Sequence, residues 1–287
     1  MPAVRIDSYE TKAGRIMALG LLVAGTMAAG ACKSRGPEHV DPAAFAWNAP
    51  LGAPATVYIR NTNGGVEVRP STDGNVRVTA EVRWRRGDPK REIKFQAVNG
   101  ANSVTICALW EGGTCEPAKY HSGSSGLGLF GNRTDASVKF TVLVPTGVRV
   151  DAFTVNGSVG VAATAPVVAQ TVNGTIKVAT SVGPVDAETV NGNVDVRMTT
   201  LGAEGPVRAH TVTGTASAYL PAKFDGVVDI SSTIGNVSSE FDGVSGTGEA
   251  KHLSGIVGAG GRRVDVGTVT GSASLRRLNA DGTVAAP

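Results

Sequence analysis

The sequence predicts an all-β protein: a single-stranded β-solenoid of the β-helix type, about 17–22 residues per coil, behind a more irregular N-terminal β portion. Three observations lead there. A nine-residue word recurs as "FTVNGSVGV" (153–161), "QTVNGTIKV" (170–178) and "ETVNGNVDV" (188–196). Self-similarity at a period near 20 residues marks units that cannot bury an apolar face alone and must stack. Within each word apolar and polar residues alternate, the period of a strand. The composition agrees: Val, Thr, Gly and Asn dominate, Gly numbers 38 of 287 and aromatics are 5%, which suits strands and turns and excludes a large aromatic-filled core.

Taken in order, residues 1–31 read as an export signal. Arg5, Lys12 and Arg15 precede an apolar run of 16 residues (16–31) that ends in small side chains. A spanning helix needs about 20, and no second such run follows. "AAGAC" (28–32) resembles the lipobox of bacterial lipoproteins, with Ala29 where that motif usually has Leu. The resemblance implies that Cys32 carries lipid, which would make the chain an exported, membrane-anchored lipoprotein facing the periplasm or the cell surface. The alternative is ordinary cleavage after "AGA", leaving a thiol at Cys32. The chain has three Cys, an odd number for an exported protein. Cys107 and Cys115 flank a Gly-Gly turn and could close a hairpin worth about 2.5 kcal/mol in the chain-entropy model, which leaves Cys32 over. The other reading is two free thiols in a reducing compartment. The leader carries three positive and two negative charges, so the formal charge falls from +3 to +2 without it, too small to indicate partners.

Residues 32–54, rich in Pro and Ala, read as a tether. Residues 55–145 hold one template word, "VYIRNTNGGVEVRP", and several longer strands, with a Gly-rich loop at 122–131. Residues 146–278 form the regular solenoid, where the word continues as "HTVTGTASA", "SSTIGNVSS", "KHLSGIVGA" and "GTVTGSASL"; 279–287 are a tail. Stacking the units in sequence order puts Val150, Val167, Val185, Val207, Val228 and Val264 in one inward column and Val159, Ile176, Val194 and Ala216 in another. Asn156-Gly157, Asn173-Gly174 and Asn191-Gly192 mark the corner between two strands. Gly accepts positive φ there, and stacked Asn side chains can form an amide ladder. An outward column would place Arg208 between Asp186 and Asp229, and Glu249 beside Asp265.

The words "VYIRNTNGGVEV", "VPTGVRVDAFTVNGSV", "GPVDAETVNGNVDV" and "TVTGSASLRRL" resemble, over residues 55–278, the bacterial family named "putative adhesin". The resemblance implies a β-solenoid domain of envelope proteins and lipoproteins, with no family active site to carry over.

No enzymatic constellation stands beside it. "GLGLFG" (126–131) spells a nucleotide-binding pattern but lacks the strand before and the helix after that the mechanism needs. His39, His121, His210 and His252 have no partner at metal-ligand spacing. Neither a metal nor a cofactor is expected. One charged cluster stands out: Arg83, Arg85, Arg86, Lys90, Arg91 and Lys94, with Trp84 among them. It could contact anionic envelope polymers or lipid headgroups, or be a solvated hairpin; export argues against nucleic acid. The expected function is a non-enzymatic, lipid-anchored module that binds at the cell envelope, with envelope glycans or other surface polymers as partners. The alternatives are a scaffold polymerising end to end and, behind it, a carbohydrate-active β-helix enzyme.

Overall fold

Two short strands joined at an Asn-Gly or Thr-Gly corner make one coil in the computed structural model. It describes residues 37–117, 119–123, 134–163, 165–181, 183–201, 205–246 and 251–279. The leader, Cys32, the 126–131 motif, Glu249 and residues 280–287 lie outside these. The first described residues enter strand β1 (His39–Pro50). Then follow β2 (Thr56–Arg60), β3 (Val66–Pro70), β4 (Asn75–Trp84), a one-turn helix α1 (Pro89–Glu92), β5 (Lys94–Gly100), β6 (Ser103–Leu109) and β7 (Ser137–Val144). The regular coils are β8 (Arg149–Asn156) with β9 (Val159–Ala163), β10 (Val167–Asn173) with β11 (Ile176–Thr180), β12 (Val185–Asn191) with β13 (Val194–Met198), and β14 (Val207–Thr213) with β15 (Ala216–Pro221). After them come β16 (Gly226–Ile234), β17 (Val237–Ser239), β18 (Val244–Ser245), β19 (His252–Val257), β20 (Arg262–Thr270) and β21 (Ala273–Leu278).

The strands form two sheets that enclose one core. The first runs β1-β4-β7-β3-β9-β11-β13-β15-β21-β17, the second β18-β19-β16-β20-β14-β12-β10-β8-β2-β6-β5. From β8 to β15 the ladders are parallel and equivalent residues pair, Val167 with Val150 and Val185, Ile176 with Val159 and Val194. Their side chains are 0–1% exposed, and each fully buried Val or Ile contributes about 1.5–3 kcal/mol. The fold is a β-solenoid, as the period predicts.

The order of coils departs from sequence order at both ends. β20 and β21 lie between the β14–β15 coil and the β16–β17 pair, so Val207 stacks on Val264 and Val264 on Val228. β19 runs antiparallel beside β16 and is not a coil. The words explain this afterwards. "GTVTGSASL" keeps the β-branched and small inward residues of an interior coil. The β17 word offers Val-Ser-Ser and stays half-exposed, and "KHLSGIVGA" begins with two polar residues. At the other end β2 and β3 lie between β6 and β7 on one side and β8 and β9 on the other.

Residues 32–54 are a correction. His39–Pro50 pairs antiparallel with β4 from His39 opposite Trp84 to Pro50 opposite Asn75, with a register shift between Asp41 and Phe45. Phe45 and Trp47 pack on the core; two large apolar residues in a Pro/Ala-rich stretch are strand anchors that composition conceals. Aromatics collect at the ends of the stack. Phe45 stacks on Phe95, Phe95 meets Phe140 edge-on, and Phe224 meets Phe241 at the opposite end, while Val and Ala fill the narrow middle.

Candidate functional site

The corner is built for close approach of backbones. A Cβ on Gly157, Gly174, Gly192, Gly214, Gly271 or Gly235 would come within 1.6–2.1 Å of the carbonyl oxygen of the stacked glycine next to it. Gly192, Gly214, Gly235 and Gly271 also have φ between +139° and +152°. Gly157 and Gly174 are not in that region, so the missing space, more than φ, demands glycine at every coil. Beside them the Asn ladder forms: Asn156 Nδ2 donates to Asn63 Oδ1 at 2.9 Å, Asn173 to Asn156 at 2.9 Å and Asn191 to Asn173 at 3.0 Å. The sequence reading missed a second ladder. The Thr of each word is buried and donates its hydroxyl to the neighbouring corner glycine's carbonyl, Thr171 to Gly157 at 2.9 Å and Thr211 to Gly192 at 2.9 Å. Its signal was present, since Thr154, Thr171, Thr189, Thr211 and Thr268 hold one place in the word.

The outward face of the second sheet carries the titratable groups. Arg208 lies in register between Asp186 and Asp265, not Asp229, because β20 intervenes. Arg208 approaches Asp186 at 3.7 Å and His210 Nε2 meets Asp265 Oδ1 at 2.8 Å. His252 meets Asp229 at 3.2 Å and Arg263 meets Asp265 at 3.7 Å. Burial pushes the carboxyls of Asp186 and Glu188 above the usual carboxylate range. The His210 and His252 imidazoles thus each engage an aspartate, and among the described residues no serine hydroxyl bonds to either ring. Among the described residues no group of three or more His, Cys, Asp or Glu is placed to hold a metal ion.

At the β5–β6 end of this face a loop is clipped down. Cys107 and Cys115 form a disulfide. The buried Arg60 bridges Asp151 Oδ1 at 2.8 Å and the Pro117 carbonyl at 2.7 Å. Tyr120 donates to the Ala108 carbonyl at 2.7 Å and lies 2.9 Å from the Thr62 hydroxyl; its burial pushes the phenol pKa up to about 12.

The basic cluster lies at the same end, and acids compensate much of it. Arg83 pairs with Glu81 and Glu38, Arg85 with Glu38, Arg86 with Asp135 and Arg91 with Asp88. Asp88 caps α1, and Glu92 accepts from the Thr134 amide. Among the described residues Lys90 and Lys94 make no such pair. Trp84 stacks on His39 at 5.4 Å and lines, with Ala44, Ile93 and Phe95 and with the charged Asp41 and Lys90, a recess between the edge strands β1 and β5. The run that reads as strongly basic in sequence is a mixed-charge rim in space.

The outward face of the first sheet shows a different arrangement. Acids pair with an arginine two residues further along the same strand, Glu67 with Arg69 at 3.5 Å and Asp195 with Arg197 at 3.1 Å. Ser158, Thr175, Asn193, Thr215 and Ser272 stand beyond the corner in successive coils. Gly65, Glu67, Lys139, Ser158, Gly160, Thr175 and Lys177 line a shallow depression of about 450 Å³.

A structure-wide likeness extends to a "putative cell adhesion protein" from Clostridium sporogenes ATCC 15579, with 12% identity over 84% of this chain and 99% of that chain at a TM-score of 0.43. A "putative adhesin" from Bacteroides fragilis NCTC 9343 is similar at 12% identity over 82% of this chain and 96% of that one, TM-score 0.38. No curated protein matches the chain. The family model described as Toastrack DUF4097 matches residues 118–276, from the clipped loop to the last coil. The chain therefore belongs to the Toastrack DUF4097 family.

Proposed function

We propose that this chain is an exported, lipid-anchored, non-enzymatic module that binds other components of the cell envelope through its outward sheet faces. The observation that carries the reading is the arrangement of those faces. Parallel, in-register ladders repeat polar side chains about every 4.8 Å over many coils, and most of the carboxylates on them are consumed in pairs with a basic side chain. Such a surface suits an extended partner better than a reaction centre, which needs a base, a nucleophile and an oxyanion site converging on one point. The "adhesin" names of the similar structures agree with a binding role, and the leader with Cys32 supplies the anchor. Polymerisation end to end fits less well. One end offers edge strands of 12 and 7 residues and the other of 3 and 2, so head-to-tail pairing would leave most of the long edges open.

The test has two arms. Full-length protein purified in detergent should retain material from isolated envelope fractions, and a panel of polysaccharides incubated with it should show no depolymerisation. Wild-type protein should take up labelled fatty acid and fractionate with membranes, whereas Cys32→Ser should do neither, because stable anchoring requires the acyl chains. An unmodified Cys32 at the mature N-terminus would overturn the anchor.

A further inference from the structure

The depression on the first sheet has features that a merely soluble strand face does not need. In the outward rows Gly160 lies in register between Glu67 and Lys177. Gly65, just before β3, accepts from the Phe140 amide next to Lys139 on one side, and on the other the Val66 amide donates to the Ser158 carbonyl. The two bare-backbone positions therefore lie diagonally across the β3–β9 ladder, with Glu67 opposite Gly160. A methyl at Gly160 would meet Glu67 Oε2 at 2.9 Å, and one at Gly65 the Ser158 carbonyl at 3.0 Å. The two glycines and the Glu67 carboxylate over Gly160 thus line the floor of the depression, and its volume of about 450 Å³ falls within the range of small-molecule sites.

The charges around that floor do not cancel. Lys177 is in register with Asp195, and Lys139 is flanked by Glu81 on the neighbouring strand. Each of these acids is bound to an arginine on its own strand, Asp195 to Arg197 and Glu81 to Arg83, and Glu67 likewise to Arg69. Among the described residues neither Lys139 nor Lys177 has a carboxylate within 4.0 Å. Two unneutralised ammonium groups therefore rim that floor, with the Ser158 and Thr175 hydroxyls beside them. From the depression the row continues as Asn193, Thr215 and Ser272, a series of hydroxyls and amides.

We infer that this depression is a binding site for an anionic saccharide, a sugar carboxylate or phosphate held between Lys139 and Lys177, with its ring on the Gly65–Gly160 floor and the following sugars along the polar row. The inference rests on the binding role proposed above and gives it a ligand class. Ammonium groups bind such anions as point charges, through charge-assisted hydrogen bonds. The hydroxyl row supplies donors and acceptors for a polyol.

The test uses full-length protein in detergent and isothermal calorimetry. The probes are a galacturonate trimer, its methyl ester and glucose 1-phosphate. The trimer should bind at least about tenfold more tightly than the ester, and more weakly as salt rises. Lys139→Gln and Lys177→Gln should each weaken it by about threefold or more, and the double variant by more than about tenfold. Lys94→Gln, at the end of the stack, should leave affinity unchanged. Gly160→Ala displaces only a flexible carboxylate tip, so it should fold normally while weakening binding of trimer and ester alike. Lysine-dependent binding of the sugar phosphate alone supports the anion site and assigns phosphate as its source. Equal affinity for trimer and ester, an undiminished double variant, or no binding of any probe by the wild type overturns the inference. Envelope material separates its failure from failure of the binding role. Equal retention by the wild type and the double lysine variant sinks the saccharide site alone, whereas no retention by the wild type sinks both.

Discussion

The middle of the stack and its two ends follow different building rules. From β8 to β15 each coil lies on the one before it in sequence, the pairs are identical or nearly so, and the corner repeats. At the ends, strands from distant parts of the chain intercalate and antiparallel strands close three of the four sheet edges, with β20–β21 between the β14–β15 coil and β16–β17, and β2–β3 between β6–β7 and β8–β9. Propagation is cheap in the middle because every coil offers the next one the same apolar face and corner. The ends face a different problem: the last strands have unpaired edges. Here the β16–β17 end finishes in strands of 3 and 2 residues. The opposite end closes with a bulged, proline-containing β1 and with aromatic side chains.

The largest expected effect separates the two rules directly. Excising residues 175–192 removes one exact repeat from the middle and joins Gly174 to Asn193, so the flanking coils can restack. That variant should remain folded with a moderately lower thermal midpoint. Excising 262–278 removes β20 and β21, which hold β16 and β17 to the rest of the sheets. It should lose the cooperative transition of this end, read by circular dichroism melting and hydrogen exchange. Equal tolerance of the two deletions would mean that the ends are as modular as the middle.

Next in size is a charge in the middle of the core. Val194 is 1% exposed, and Val194→Asp would bury an unpaired carboxylate at a cost of several kcal/mol. Insoluble or unfolded protein is expected. Asp195→Ala, one residue on and outward, should change stability by less than about 0.5 kcal/mol. A soluble Val194→Asp protein with an unchanged midpoint would contradict the inward column.

The corner comes third. Gly192→Ala places a Cβ 1.9 Å from the Gly174 carbonyl oxygen at a φ of +151°, and should cost about 2 kcal/mol or more. Gly74→Ala, in open space near β1, should stay within about 0.5 kcal/mol. Denaturant titration measures both, and similar values for the two would remove the close-approach argument.

The smallest effect concerns pH. Burial raises the Asp186 carboxyl in the folded chain, against an opposing pull from Arg208. A carboxyl raised on folding binds more protons in the native than in the unfolded state, so its contribution falls as pH rises through the window above the ordinary carboxylate pKa. Asp186→Asn should therefore match or slightly exceed the wild-type midpoint at pH 7, and lose that advantage near about pH 3, where the wild-type carboxyl is protonated too. A large loss at pH 7 would show that the Arg208 pair outweighs burial.

The amino-acid sequence by itself determined the coil: its two strands, the inward Val and Ala columns, the outward polar positions and the Asn-Gly corner. All of these are set by residues within one or two repeats, whose period states which side chains face together. The Cys107–Cys115 hairpin was likewise legible from local spacing. Only the tertiary structure decided which coil lies on which, because the words are nearly interchangeable. Val264 serves as a neighbour to Val207 as well as Val228 would, and nothing in either word names its partner. That choice moved Asp265 beside Arg208, which sequence order had given to Asp229. It made β1 a strand because Phe45 and Trp47 found an open end of the core to cover. The outward sites followed the same logic. The basic run lost part of its excess charge to Glu38 and Asp135, and Lys139 and Lys177 kept theirs, because the identity of a charge is local while its compensation depends on which strand folds alongside.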